Sequence, residues 1–198
     1  MKPKLFIIGG ISQAGKSAAA RKIVPKGMCL IQTDIIRFAT RNAITGENPD
    51  KNISRVSFKV TATYPAKDDP TKLDTLSFER NNQGEDDLAW LGILGMLYYF
   101  DGDTSYQTDL VIEGVAVKPA KVNELEVRLK KFEVKAVFVG HSKGPELALD
   151  SAKLKTEAEK SGYPYLDRVN YEGDEQAEAE AIAAALSFQY AKSRQRQR

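Results

Sequence analysis

Cysteine, histidine and tryptophan each occur once in the 198 residues, methionine three times, and neither sign of charge dominates. With Cys29 alone, no intramolecular disulfide can form, and with His141 the only histidine there is no basis for a cysteine/histidine metal cluster. A reducing cytoplasm is the compartment this composition fits. Twenty-nine Lys and Arg against 27 Asp and Glu leave a net charge of +2, so bulk electrostatics give no general attraction to nucleic acid or to a membrane surface. Any anion site must be built locally. No apolar run approaches the ~20 residues that cross a bilayer. The opening stretch, residues 1–11, has two lysines and a short apolar run, but Ser12 and Gln13 end it too early for a signal peptide, and it is expected to be a buried strand.

What is present is an alternation. Continuous, β-branched apolar segments at residues 5–8, 29–31, 110–112, 134–139 and around Val169 read as strands covered on both faces. Helical patterns lie between them at 18–24, 35–44 and 88–100, in a run opened by Pro119 that carries Val122, Leu125, Leu129 and Phe132, after Pro145, and at 177–190. Alternation of this kind predicts an α/β fold, a three-layer sandwich around a five-stranded parallel sheet in the order 2-3-1-4-5. One domain over residues 1–191 is expected.

Residues 46–84 interrupt the alternation. The stretch is long, polar and contains Pro49, Pro65 and Pro70; within it Val56, Phe58, Val60, Ala62 and Tyr64 alternate with polar residues, as Leu76 and Phe78 do more briefly. A β-hairpin-like insertion, a flap near the substrate, is the expectation. Residues 192–198 form a polar, basic tail expected to be disordered.

The strongest local signal is Gly10-Ile-Ser-Gln-Ala-Gly15-Lys16-Ser17, which satisfies G-x-x-x-x-G-K-[ST] directly after an apolar strand and before a helical run. Glycines let such a chain wrap a phosphate, backbone N–H groups turn inward, and the following helix contributes its positive end. Gly10, Ser12, Gln13, Ala14, Gly15, Lys16, Ser17 and Ala18 are therefore the expected nucleotide-binding residues. Lys16 would bridge the β- and γ-phosphates, and Ser17 would place its hydroxyl on Mg²⁺.

Two further segments reach the same sheet edge if the strands are parallel. Thr33-Asp34-Ile35-Ile36-Arg37 follows the second strand: Asp34 could take the proton of an attacking hydroxyl and Arg37, one turn on, could hold an anionic group, while Asp34 could equally cap the helix. Leu110-Val-Ile-Glu113-Gly114 is an apolar strand ending in an acid, placing Glu113 near Mg²⁺ as a second metal residue; Asp109, at the other end, reads as structural. His141 follows the fourth strand and is read as structural, as are Trp90, Tyr98 and Tyr99 from their helical spacing.

Gly9-Gly10 with the phosphate loop, Thr33-Asp34 with Ile36-Arg37, and Glu113-Gly114-Val115 with Pro119 together resemble 2-phosphoglycerate kinase and related P-loop small-molecule kinases. The resemblance covers about the first 45 residues and the stretch 110–119; where that family follows Glu-Gly-Val with a histidine, this chain has Ala116. The Asp34 and Arg37 pair is also similar to one in zeta-toxin-like kinases, chloramphenicol phosphotransferases and polynucleotide 5′-hydroxyl kinases. The resemblance implies a P-loop NTPase fold and transfer of the γ-phosphoryl of ATP, with Mg²⁺, to a hydroxyl of a small metabolite, anionic ones among the candidates. It also implies a mobile lid at residues 142–167, where Lys143 and Lys153 are the candidate cations and Arg168 stands just beyond. By analogy with related folds the base lies near Glu172-Gly173-Asp174, and the absence of an Asn-Lys-x-Asp guanine signature favours ATP. Two other functions fit the same motifs: a polynucleotide 5′-hydroxyl kinase, against which the near-neutral charge speaks, and a nucleotide-binding regulator that turns over slowly or not at all.

Overall fold

The structure, a computed structural model, describes residues 2–25, 28–45, 56–65, 73–83 and 85–187. Five of its strands form one parallel sheet: β1 (Lys4–Gly10), β2 (Cys29–Gln32), β5 (Leu110–Gly114), β6 (Glu133–Gly140) and β7 (Tyr165–Asp167), in the order β2-β5-β1-β6-β7. Counting these strands alone, the order is 2-3-1-4-5, as the alternation predicts. Helices α1 (Lys16–Ile23), α2 (Thr33–Thr45), α3 (Glu85–Gly102), α4 (Pro119–Arg128), α5 (Pro145–Lys160) and α6 (Glu175–Ala185) complete a three-layer α/β fold. A separate antiparallel pair, β3 (Val56–Pro65) and β4 (Leu73–Gln83), is the hairpin that the alternation at 56–64 and 76–78 predicts. No helix among the described residues is long and apolar enough to cross a membrane.

Both faces of the sheet are buried because side chains alternate along each strand. Leu5, Ile7, Leu110, Ile112 and Phe138 join Trp90, Ile93 and Leu97 of α3 and Leu125 of α4 on one side. Phe6, Ile8, Val111, Val137 and Val139 join Ala19, Ala20 and Ile23 of α1 and Ile182 and Ala183 of α6 on the other. Each fully buried aliphatic or aromatic side chain contributes roughly 1.5–3 kcal/mol, so the core holds the central strands in register. That register, Ile8 beside Glu113 and Gly9 beside Gly114, brings the end of β5 level with the start of the phosphate loop.

Several elements differ in their limits from the sequence reading. The fifth parallel strand is Tyr165–Asp167, not a segment around Val169; Asp167 accepts a hydrogen bond from the Val169 amide at 3.1 Å and turns residues 168–171 into a short 3-10 helix. Helix α4 stops at Arg128, so Leu129 and Phe132 are buried from the connection that follows. Helix α6 begins at Glu175 because Asp174 accepts from the Ala177 amide at 2.9 Å, and the expected continuation to residue 190 runs past the described residues, as does the tail at 192–198. Trp90 is core at 4% exposure, whereas Tyr98 and Tyr99 stand at 39% and 70%. Residues 142–167 hold α5 and β7, and α5 packs into the core through Leu154 and Ala158. Asp109 is structural, accepting from the Lys4 amide at 2.7 Å.

Candidate functional site

The chain leaves β1 at Gly10, crosses Ile11 to Gly15 and enters α1 at Lys16. Gly15 has φ 74°, a left-handed conformation that glycine adopts without a Cβ penalty, and it precedes a helix with no side-chain cap. The N-terminus of α1 thus has no side-chain cap, and uncapped first-turn amides are the arrangement that receives an anion. Ala14 is buried, Ser12 and Gln13 are exposed, and Gly15, Ser17 and Ala18 are half-buried.

Lys16 is 4% exposed, and its ammonium donates to the Ile11 carbonyl across the loop. Burial pulls its pKa below the ordinary lysine value, while the negative charges of Glu113 and Asp34 push the other way. Lys16, Glu113 and Asp34 thus come from three strand ends to one electrostatic neighbourhood. Glu113, 1% exposed, is the last residue but one of β5; its Oε1 accepts from Gln32 Nε2 at 2.7 Å, and its Oε2 has no hydrogen-bond partner among the described residues. Asp34 lies in the first turn of α2, where a carboxylate is favoured by the helix dipole, and its buried Oδ1 is likewise without a partner there. Arg37 follows one turn later, half-buried, with its guanidinium 5.3 Å from the centre of the Phe38 ring.

These ends are locked together by a close approach. A Cβ built on Gly114, whose φ is 141°, would lie 1.7 Å from Thr33 Oγ1, so the chain after β5 and the chain after β2 touch where any other residue would force them apart.

The partnerless Glu113 Oε2 and the Ser17 hydroxyl are oxygen donors of the kind Mg²⁺ takes. The residues present therefore fit the metal that the phosphate-loop motif implies. Among the described residues no group of three or more His, Cys, Asp or Glu side chains converges as a metal cage.

On the outer side of the loop, Arg168 donates to the Gln13 carbonyl at 2.8 Å and its Nε lies 3.8 Å from Glu178 Oε2. The Glu178 carboxylate presses against Gly15, its oxygens 2.9 and 3.0 Å from where a Cβ would sit. Burial raises the Glu178 pKa, with Arg168 opposing. Neither residue was expected in the site. The readable signal was a glutamate on the same face of α6 as Ala179, Ile182 and Ala183, a charge within a buried stripe. Of the lid cations expected, Lys143 is paired with Glu172 at 2.6 Å and Lys153 is exposed on α5.

No protein-family model matches the chain, and no curated protein does. Among solved structures it is similar to the tunicamycin resistance protein of Deinococcus radiodurans (14% identity, 96% of this chain and 98% of that one, TM-score 0.46). It is also similar to a gluconokinase of Sinorhizobium meliloti 1021 (18%, 93% and 90%, 0.44) and to dephospho-CoA kinase of Campylobacter jejuni (12%, 92% and 96%, 0.41). Identities and scores at this level carry no residue role across.

Proposed function

We propose that this chain is an ATP-dependent phosphotransferase that moves the γ-phosphoryl group to a hydroxyl of a small, anionic acceptor. The observation that carries the reading is the meeting of an uncapped phosphate loop and its buried Lys16 with two carboxylates from neighbouring strand ends, Glu113 and Asp34, each with a buried oxygen that has no hydrogen-bond partner among the described residues. A regulator that only binds nucleotide needs the loop and the metal carboxylate; it has no use for the second acid beside an arginine.

The loop amides from Gly10 to Ala18 cradle the phosphates, and Lys16 exchanges its Ile11 carbonyl for phosphate oxygens. Ser17 and Glu113 would hold Mg²⁺, which neutralises charge as the phosphoryl group departs. Asp34 accepts the proton of the acceptor hydroxyl, whose oxygen forms a bond to the γ-phosphorus as the bond from that phosphorus to the β–γ bridging oxygen breaks and ADP leaves. Arg37, one helical turn away, pairs with an anionic group of the acceptor and orients the hydroxyl. The base lies outside the loop in the cavity bordered by Gln13, Arg168 and Gly173. The hairpin β3–β4 serves as a flap over the acceptor, 142–167 as the lid, and the lone Cys29 suits a cytoplasmic enzyme.

The test is a metabolite-pool screen for acceptor-dependent ADP release, with mass spectrometry of the phosphorylated product, run on the wild type and on Asp34→Asn. Turnover that needs both an acceptor and Asp34 supports transfer; tight nucleotide binding with no acceptor-dependent turnover would establish the regulator instead.

A further inference from the structure

A cavity of about 250 Å³ opens beside the phosphate loop, bordered by Gln13, His141, Arg168, Tyr171 and Glu178. Two buried polar atoms of its lining have no hydrogen-bond partner among the described residues: Glu178 Oε1 and His141 Nδ1. Buried polar groups in folded proteins are nearly always satisfied, so each orphan asks for a partner. Glu178 is 3% exposed and is fixed from two sides, by Gly15 beneath it and by Arg168, which is itself tied to the Gln13 carbonyl. His141 is fixed by its backbone, whose amide donates to Ser151 Oγ at 2.8 Å. Here are an acceptor and an imidazole nitrogen able to donate, on two residues that line one cavity large enough for a purine.

We propose that Glu178 and His141 select the base of the nucleotide, Glu178 accepting from an exocyclic amino group and His141 Nδ1–H donating to a neighbouring ring nitrogen, so that the site takes 6-aminopurine and rejects 6-oxopurine nucleotides. The inference rests on the phosphate-loop reading above. Adenine presents a donor, the 6-amino group, next to an unprotonated ring nitrogen. Hypoxanthine and guanine present a carbonyl oxygen at that same position, which would face the carboxylate, repelling it and leaving Glu178 unsatisfied. A site built to hydrogen-bond one group discriminates strongly against the analogue lacking it, because its own buried groups are then stranded. Gly15 is required for the same arrangement, since a side chain there would displace the carboxylate.

The experiment measures binding of four probes with Mg²⁺ to the full chain by calorimetry: ATP, purine riboside triphosphate (hydrogen at position 6), inosine triphosphate and inorganic tripolyphosphate. The wild type is expected to bind ATP roughly 10-fold or more tighter than the 6-hydrogen analogue, the range for a hydrogen bond to a charged group, and inosine triphosphate weaker still. In folded Glu178→Leu the ratio of ATP to 6-hydrogen affinity falls to about one, whatever the variant's affinity for tripolyphosphate; Glu178→Gln, which keeps an acceptor oxygen, retains the preference. Equal binding of ATP and the 6-hydrogen analogue by the wild type overturns the assignment, as does a preference for inosine triphosphate, and these two results hold even if the leucine variant fails to fold. A preference that survives in folded Glu178→Leu overturns it too. If tripolyphosphate does not bind the wild type, the phosphate-loop reading itself fails; if it binds but the bases are not distinguished, only the role of Glu178 and His141 falls.

Discussion

Gln32 Nε2 donates to Glu113 Oε1 at 2.7 Å, and through that one bond the second strand of the sheet orients a buried carboxylate on the third. The other oxygen of Glu113 is left for whatever the site receives. A side chain in this position is tuned by its supporting partner, and losing such a partner typically costs 10- to 100-fold in metal affinity. Gln32→Leu is accordingly expected to raise the Mg²⁺ concentration needed for half-maximal turnover by about that factor. Magnesium titrations of wild type and variant at saturating nucleotide check it, and an unchanged midpoint would detach Glu113 from the metal.

Lys16 places function and stability in opposition. Burial lowers its pKa from the ordinary lysine value of 10.5, so the folded protein holds this proton less tightly than the unfolded chain. The penalty is fully present below the lowered pKa and is relieved as pH rises toward 10.5. Lys16→Met removes the buried charge at nearly constant volume. It should melt a few degrees above wild type at pH 7, with the gap narrowing toward pH ~10, while triphosphate binding is lost. Paired melting curves at the two pH values and calorimetry with tripolyphosphate decide the matter; a variant that melts lower at pH 7 contradicts the expectation.

Asp34→Asn separates the base from the helix-dipole role. Asp34 sits inside the first turn of α2, past the cap position; asparagine has the same shape and gives up only the charge–dipole attraction, about 0.3–1 kcal/mol, so the fold and the nucleotide affinity should survive. Removal of a general base lowers turnover by ~10²–10⁴-fold. Steady-state transfer, nucleotide affinity and a melting curve on the same preparation give the comparison, and near-wild-type transfer would shift the proton-accepting role to another group.

Glu178 has the opposite sign from a salt-bridged surface acid. Burial raises its pKa above the ordinary glutamate value of 4.5, with Arg168, Lys22 and His141 pulling it back and Glu175 adding to the rise. A raised carboxyl pKa gives stability that is fully present below the unfolded value and is lost as pH climbs through the folded one. Glu178→Gln should therefore melt higher than wild type at pH 7, with the difference shrinking as pH falls to about 4.5. A difference that stays constant with pH would mean that the carboxylate is neutralised by its neighbours.

How much of this was legible beforehand follows from where each contact is encoded. The parallel sheet could be read from local composition, because a strand covered on both faces must be continuously apolar, and 5–8, 110–112 and 134–139 are. The phosphate loop is a contiguous motif, so Gly10 to Ser17 could be found by spacing alone. Gln32 could not, since its partner lies 81 residues away and a glutamine at a strand end has no distinctive pattern. Arg168 was noticed only as a cation past the expected lid; its bond to the Gln13 carbonyl spans 155 residues and depends on the 3-10 turn that displaced the fifth strand from Val169 to Tyr165–Asp167. His141 reads as structural in the sequence, as a lone histidine usually is, and the cavity that it shares with Glu178 exists only after folding.

The contact of Gly114 with Thr33 Oγ1 makes the ends of β2 and β5 behave as a single mechanical part. Asp34 is the next residue after Thr33 and Glu113 the one before Gly114, so the two acids flank the same close approach. A side chain in place of Gly114 would therefore reach both acids at once, wedging the end of β5 away from the start of α2 and moving Glu113 and Asp34 apart.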